Sequence, residues 1–312
     1  MPEKLHINLF GGFCLKFNGE QIADLDSPRL QQILAYLILN RSSRQSRQYL
    51  AFQFWPDSSE KQALANLRNQ LHLLRNVFPE AERYLIVDHK SLQWNTQVTS
   101  ISDVAKFEVS VRQAKQVKKE KDTHQIKALK KAISLYKGPL LPEYYEDWIE
   151  HHRVRLKHAY ESALQKLIEL LENDRNFDEA IYYAKKFIQH DPLNETAWRW
   201  LMKLYASDNN RASALQTYRK CANVLKEEFD VRPSRDTTEV YKRLLSSSEE
   251  IDTKTIEQKI NHGNQEKLID QYQEETESLG SASEDVVEKT EKKFSPKKTE
   301  NKIDYGLKEI TS

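Results

Sequence analysis

The segment from residue 62 to residue 76 concentrates side chains that suit one kind of chemistry. Gln62, Asn66, Asn69 and Asn76 are amides, each presenting a donor and an acceptor side by side. His72 and Leu73 sit among them, and Arg68 and Arg75 are interleaved. On a helical wheel at 100° per residue, Leu64, Leu67, Leu71, Leu74 and Phe78 fall on one side. Gln62, Asn66, Asn69, Leu73 and Asn76 fall on the other, with His72 beside them and the two arginines flanking the leucine stripe. Amides of this kind form bidentate pairs with adenine in a major groove, and guanidinium groups hold phosphates. Leu73 is a candidate contact for a thymine methyl. A polar face is also what any surface helix carries, so the wheel needs support from its surroundings.

Charge supplies some of it. The whole chain sums to only +1. Between Arg29 and Arg75, however, seven basic residues (Arg29, Arg41, Arg44, Arg47, Lys61, Arg68 and Arg75) stand against Asp57 and Glu60, an excess of five. A local basic segment draws a polyanion more effectively than the sum over a chain suggests. Arg47, and Lys90 at the tip of a later hairpin, complete the candidate contacts.

Other chemistries find less. Seven glycines in 312 residues write neither a G-x-x-x-x-G-K-[ST] phosphate loop nor a G-x-G-x-x-G fingerprint. Cys14 and Cys221 belong to no spaced motif and read as free thiols of a reducing compartment. His151, His152 and His158 lack the spacing that converges ligands on a metal. Carboxylates such as Glu143, Glu146 and Asp147 read as solvated faces, not acid–base pairs. The expectation is a non-enzyme with no cofactor and no metal. The longest apolar run, Ile33 to Leu39, is too short to cross a bilayer, and the first residues have no secretory pattern. A cytoplasmic protein follows as the expectation.

The elements around the amide helix are legible. Leu5, Ile7 and Leu9 alternate with polar residues, as do Phe13, Leu15 and Phe17, and Asn18-Gly19 signals a hairpin. Ser27 and Pro28 open a helix striped by Leu30, Ile33, Leu34, Leu37 and Ile38. A short second helix begins at Ser46 and stops before Pro56. The third runs from about Ser59 to Phe78 and ends at Pro79. Two strands, Tyr84 to Val87 and Ser91 to Trp94, flank Asp88-His89-Lys90. Strands, three helices and a terminal hairpin over residues 1–100 describe a winged helix-turn-helix.

Residues 101–248 read as helical, with an internal repeat at an offset of 34. Leu164 corresponds to Trp198, Leu167 to Leu201, Leu171 to Tyr205, Asn176 to Asn210, Ala180 to Ala214, Ile181 to Leu215 and Ala184 to Tyr218. This is the tetratricopeptide period. Trp198 and Tyr205 occupy repeat-core positions, which leaves Trp200 as the tryptophan to expect at the surface. Residues 249–312 hold sixteen acidic and ten basic residues with few large apolar ones, a composition that predicts a disordered tail.

Three runs now carry a family resemblance. They are Ser27-Pro-Arg-Leu-Gln-Gln-Ile-Leu-Ala-Tyr-Leu-Ile-Leu, Ser46-Arg-Gln-Tyr-Leu through Trp55, and Ala63-Leu-Ala-Asn-Leu-Arg-Asn-Gln-Leu-His-Leu-Leu-Arg75. Together they resemble the OmpR-like winged helix of the Streptomyces antibiotic regulatory protein (SARP) family. The later segments Leu135-Tyr-Lys-Gly-Pro-Leu-Leu-Pro, Asn210 to Tyr218, and Leu225-Lys-Glu-Glu-Phe-Asp-Val-Arg-Pro233 resemble that family's bacterial transcriptional activation domain. The resemblance spans residues 4–245. It implies a transcriptional activator that binds double-stranded promoter DNA and contacts RNA polymerase. Leu73 and Asn76 stand where the family is often basic, which favours a homodimer or tandem copies on DNA. The competing reading is a helical-repeat adaptor whose winged helix binds protein. The fold expected is mixed: an α+β winged helix-turn-helix, then an all-α tetratricopeptide-like domain, then the disordered tail.

Overall fold

A computed structural model describes residues 5–22, 25–78, 80–116 and 122–246. The tail from residue 249 lies outside the described residues. Strand β1 (Leu5–Asn8) buries Leu5 and Ile7 on one face, and β2 (Cys14–Phe17) returns antiparallel to it, with Leu5 opposite Phe17 and Ile7 opposite Leu15. Asn18 and Gly19 both take positive φ (54° and 96°), making the tight turn into β3 (Glu20–Gln21). The fourth strand of this sheet, β7 (Ser100–Ser102), lies parallel to β1, giving the order β3-β2-β1-β7.

Three helices follow the first hairpin, each opened by the same device. Ser27, Ser46 and Ser59 accept a backbone N–H with their hydroxyls from Leu30, Tyr49 and Gln62. They cap α1 (Pro28–Leu39), α2 (Arg47–Phe54) and α3 (Glu60–Val77). A short α4 (Ala81–Tyr84) leads into β5 (Leu85–Val87) and β6 (Ser91–Trp94), and β4 (Gln45–Ser46) completes a second sheet of order β4-β6-β5. A run of rings ties the layers together. Phe78 lies 5.6 Å from Phe17 and 5.8 Å from Tyr84, and Tyr84 stacks on Trp94 at 6.1 Å.

The chain enters the helical part at Asp103, the first residue of α5 (Asp103–Gln116). Its carboxylate accepts the N–H groups of Leu9 and Phe10, both at 2.9 Å, and so closes the end of β1. Burial nevertheless raises its pKa. Then come α6 (Asp122–Leu135), α7 (Asp147–Asn173), α8 (Phe177–His190), α9 (Glu195–Ser207), α10 (Arg211–Phe229) and α11 (Arg235–Ser246).

The repeat at offset 34 holds in atomic detail. Asn176 and Asn210 cap α8 and α10. The residues before them, Arg175 and Asn209, are left-handed at φ 55° and 57°. The N–H of Asn176 bonds the carbonyl of Leu171, and that of Asn210 bonds the carbonyl of Tyr205. Ala180, Ala184 and Ala214 are fully buried at the helix crossings. Trp198 is buried and donates to the carbonyl of Pro192 at 2.7 Å. Trp200 departs from expectation: it is half-buried and packs 5.9 Å from Phe187. Two residues from Trp198, it lies on roughly the opposite side of α9, which suggests exposure, but Phe187 of α8 covers that side.

One continuous apolar core links the two parts, from Leu5 to Leu204. The loop before α7 makes the join. Leu141 donates to the carbonyl of Leu9 at 3.0 Å, and Gly11 donates to that of Pro139 at 2.9 Å. Gly138 takes φ 158°, a conformation that residues with side chains rarely adopt, and its backbone lies against that of Gly11. Arg153 holds the loop from the other side through the carbonyls of Leu140, Leu141 and Tyr144. Trp148 meets Tyr36 at 5.1 Å and Phe54 at 6.0 Å, both edge-on. Gln31 bonds Tyr144, and Gln32 bonds Glu146.

Candidate nucleic-acid interface

Helix α3 is seated by Ala63, Leu67, Leu71 and Leu74, all buried, and by Phe78 at its end. Leu64, expected on the same seam, is half-buried at its margin. Glu60 in the first turn and Arg75 in the last suit the helix dipole. Opposite the seam, Lys61, Gln62, Arg68, Asn69, His72, Arg75 and Asn76 are exposed. The solvent face therefore centres on His72 and Asn76, with Gln62 and Asn69 on one flank and Arg68 and Arg75 on the other. Asn66 and Leu73 lie at its edge and are half-buried. Leu73 packs partly against the core, which leaves only part of its side chain at the edge of the face. The seam is not centred on the leucines alone: Ala63 is buried and shifts it away from Leu64.

The exposed amides are preset by pairs one turn apart. Gln62 donates to Asn66 at 2.9 Å, and the Asn76 amide lies 3.3 Å from His72 Nδ1. Arg75 makes an ion pair with Glu82 at 3.1 Å, with both side chains largely in solvent. Such a pair is worth roughly 0–1 kcal/mol and is easily exchanged for a phosphate. Arg68 and Lys61 have no ion pair among the described residues.

The wing is built against the start of α2. Ser46 pairs with Ser91 and Gln45 with Leu92 across β4 and β6, and the Arg47 N–H donates to the carbonyl of Lys90 at 2.8 Å. Asp88 shapes the wing tip, accepting from the N–H groups of Lys90 and Ser91 and from the Ser91 hydroxyl, all at 2.7 Å. These bonds, helped by the nearby charge of Arg44, hold its pKa at about 2. His89 and Lys90 stand exposed at the tip. Arg47 is half-buried, and its Nε has no hydrogen-bond partner among the described residues. Arg44 and Lys61 count only toward the basic excess in the sequence. The structure places Arg44 by the wing turn and Lys61 in the first turn of α3, which makes both candidate phosphate contacts. No pattern in Gln45–Ser46 announces β4, since two residues carry no alternation.

The arrangement is a helix with a polar, cationic face, a short helix ahead of it, and a hairpin whose cationic tip adjoins that short helix. Comparison with known proteins agrees with it. Residues 102–245 match the family model of the bacterial transcriptional activator domain. With strands, three helices and a terminal hairpin ahead of that domain, the chain resembles SARP-type regulators in its order of parts.

Among proteins similar to it, the regulatory protein AfsR of Streptomyces griseus is 22% identical over 236 residues, covering 75% of this chain and 24% of that protein. The transcriptional regulatory protein MoaR1 of Mycobacterium bovis is 22% identical over 250 residues, covering 77% of this chain and 79% of the relative. The chain thus spans about a quarter of the AfsR relative's length. The Mycobacterium tuberculosis EmbR structure, solved with a low-affinity phosphopeptide, shares the fold at TM-score 0.61 and 18% identity. That match covers 78% of this chain and 66% of EmbR. Among the described residues, no helix is long and apolar enough to cross a membrane.

Proposed function

We propose that this chain regulates transcription by binding specific sites in double-stranded promoter DNA, with α3 in the major groove and the wing on the adjacent backbone or minor groove. The observation that carries the reading is the solvent face of α3, where amides lie beside Arg68 and Lys61, which have no ion pair among the described residues. In this reading Asn69, Asn76 and Gln62 face base edges, with His72 between them. Arg68, Lys61, Arg44, Arg47 and Lys90 hold phosphates, joined by Arg75 once it leaves Glu82. Asn66 and Leu73 contribute at the margin. The face is less cationic than a single tight binder needs, so two copies, as a dimer or in tandem, occupy the site. The helical domain supplies the surface for RNA polymerase.

Selection from random duplexes tests this. Enrichment of one motif, repeated at a spacing of one helical turn or a multiple of it, is the expected result. Enrichment of nothing, with binding that ignores salt, would sink the proposal. The adaptor reading has one observation in its favour: Phe52 and Tyr49 on α2 are 69% and 47% exposed, suited to a protein contact. An adaptor would keep its partner at salt concentrations that strip DNA.

A further inference from the structure

Away from the winged helix, α5, α6 and α7 enclose a groove of about 760 Å³. Sites of roughly 300–1,000 Å³ hold compact organic molecules. The floor is apolar. Phe107, Leu129 and Leu156 are buried beneath it, and Ala114, Ala159 and Ala163 line it with methyl groups where larger side chains would fill the space. The rim is cationic: Arg112 and Lys115 come from α5, and Arg155 and Lys166 from α7, with His158 beside them. The lining contains one carboxylate, Glu108, and it is already spanned by Arg155 at 2.8 Å and Arg41 at 3.5 Å. Lys166 leans on Glu169 at 3.2 Å, and His158 on Glu161 at 3.5 Å. Arg112 and Lys115 are exposed and have no ion pair among the described residues.

We infer that this groove binds an organic anion whose apolar body lies on the alanine floor and whose carboxylate, sulfonate or phosphate group is held by Arg112 and Lys115. Both halves of the groove select this class. An apolar ligand without charge would leave the exposed Arg112 and Lys115 unused. An inorganic anion would leave the methyl-lined floor in water, forfeiting the burial of about 25 cal/mol per Å² that an apolar body brings. A DNA duplex is too wide to reach the floor and would touch only the rim. The site stands apart from α3 and does not depend on the chain binding DNA.

The test uses the full chain with 1-anilinonaphthalene-8-sulfonate, followed by fluorescence, and dodecanoate as competitor. The expected result is saturation at one site per chain and displacement by dodecanoate but not by inorganic phosphate at the same concentration. The exposed pair Arg112→Glu and Lys115→Glu weakens binding at least tenfold, and Ala159→Leu, which fills the floor, weakens it similarly. Each variant's urea midpoint is measured alongside. If Ala159→Leu lowers that midpoint, Ser162→Trp at the exposed mouth replaces it. Non-saturating fluorescence, equal displacement by phosphate, displacement by duplex DNA alone, or unchanged affinity in the folded variants would overturn the inference.

Discussion

Arg68→Ala separates a phosphate-binding arginine from an ordinary surface one. Five cations stand ready around the α3 face without an ion pair among the described residues: Lys61, Arg68, Arg44, Arg47 and Lys90. Each phosphate neutralised contributes about −0.9 to the slope of log affinity against log salt, so five give roughly −4.5 per bound copy. Between 50 and 200 mM salt that slope lowers affinity by about 500-fold. Removing Arg68 takes the slope to about −3.6, and the same salt step then costs about 150-fold. Arg75→Ala moves the slope less, because Arg75 must first release Glu82. Fluorescence anisotropy of a labelled duplex over that salt range reads all three proteins. A variant slope equal to that of the native chain, or a native slope shallower than about −2, refutes the assignment of these side chains to phosphates.

Three further outcomes follow from the packing. Trp148→Ala loosens the join between winged helix and helical domain by about 2 kcal/mol, below the full cost of a buried tryptophan because Trp148 is half-buried. Trp148→Phe costs little, since the indole N–H has no partner among the described residues and the ring contacts to Tyr36 and Phe54 survive; urea unfolding measures both. Asn176→Ala removes the α8 cap and costs about 1 kcal/mol, whereas Arg175→Gly relieves a left-handed residue and raises stability by about 0.5–1 kcal/mol in the same assay. Burial beside the rings of Tyr160 and Tyr136 depresses the pKa of His190, outweighing the pull of Glu161. The unfolded chain therefore takes up a proton first as pH falls below 6.5, and stability declines from there downward. In His190→Phe that decline is shallower, with the part due to His152 retained; equal declines would contradict the assignment.

Much of this molecule is legible from local signals. Ser27, Ser46 and Ser59 mark three helix starts because a capping hydroxyl acts within three residues of itself. Asn18-Gly19 marks the turn from β2 to β3 for a similar reason, and the offset of 34 reports a backbone turn made twice. What escaped is made by distant partners. The parallel return of β7 to β1, the capping of β1 by Asp103 and the seating of Leu141 on Leu9 each join residues more than ninety positions apart. The exposure of the α3 amides follows from the leucine stripe, whereas the half-burial of Leu73 also depends on Ala63, a small residue that adds nothing to such a stripe. The Arg75–Glu82 pair was invisible because it depends on how α4 follows α3.

The claim that α3 reads bases is tested most directly by repeating the duplex selection with Asn69→Ala beside the native chain and Arg68→Ala. The account predicts that Asn69→Ala yields the same motif with one or two base pairs relaxed, a loss of roughly 1–3 kcal/mol in discrimination at those pairs. Arg68→Ala yields the native motif at lower affinity throughout. An Asn69→Ala motif identical at every position to the native one, or an Arg68→Ala motif altered at single bases, would contradict it.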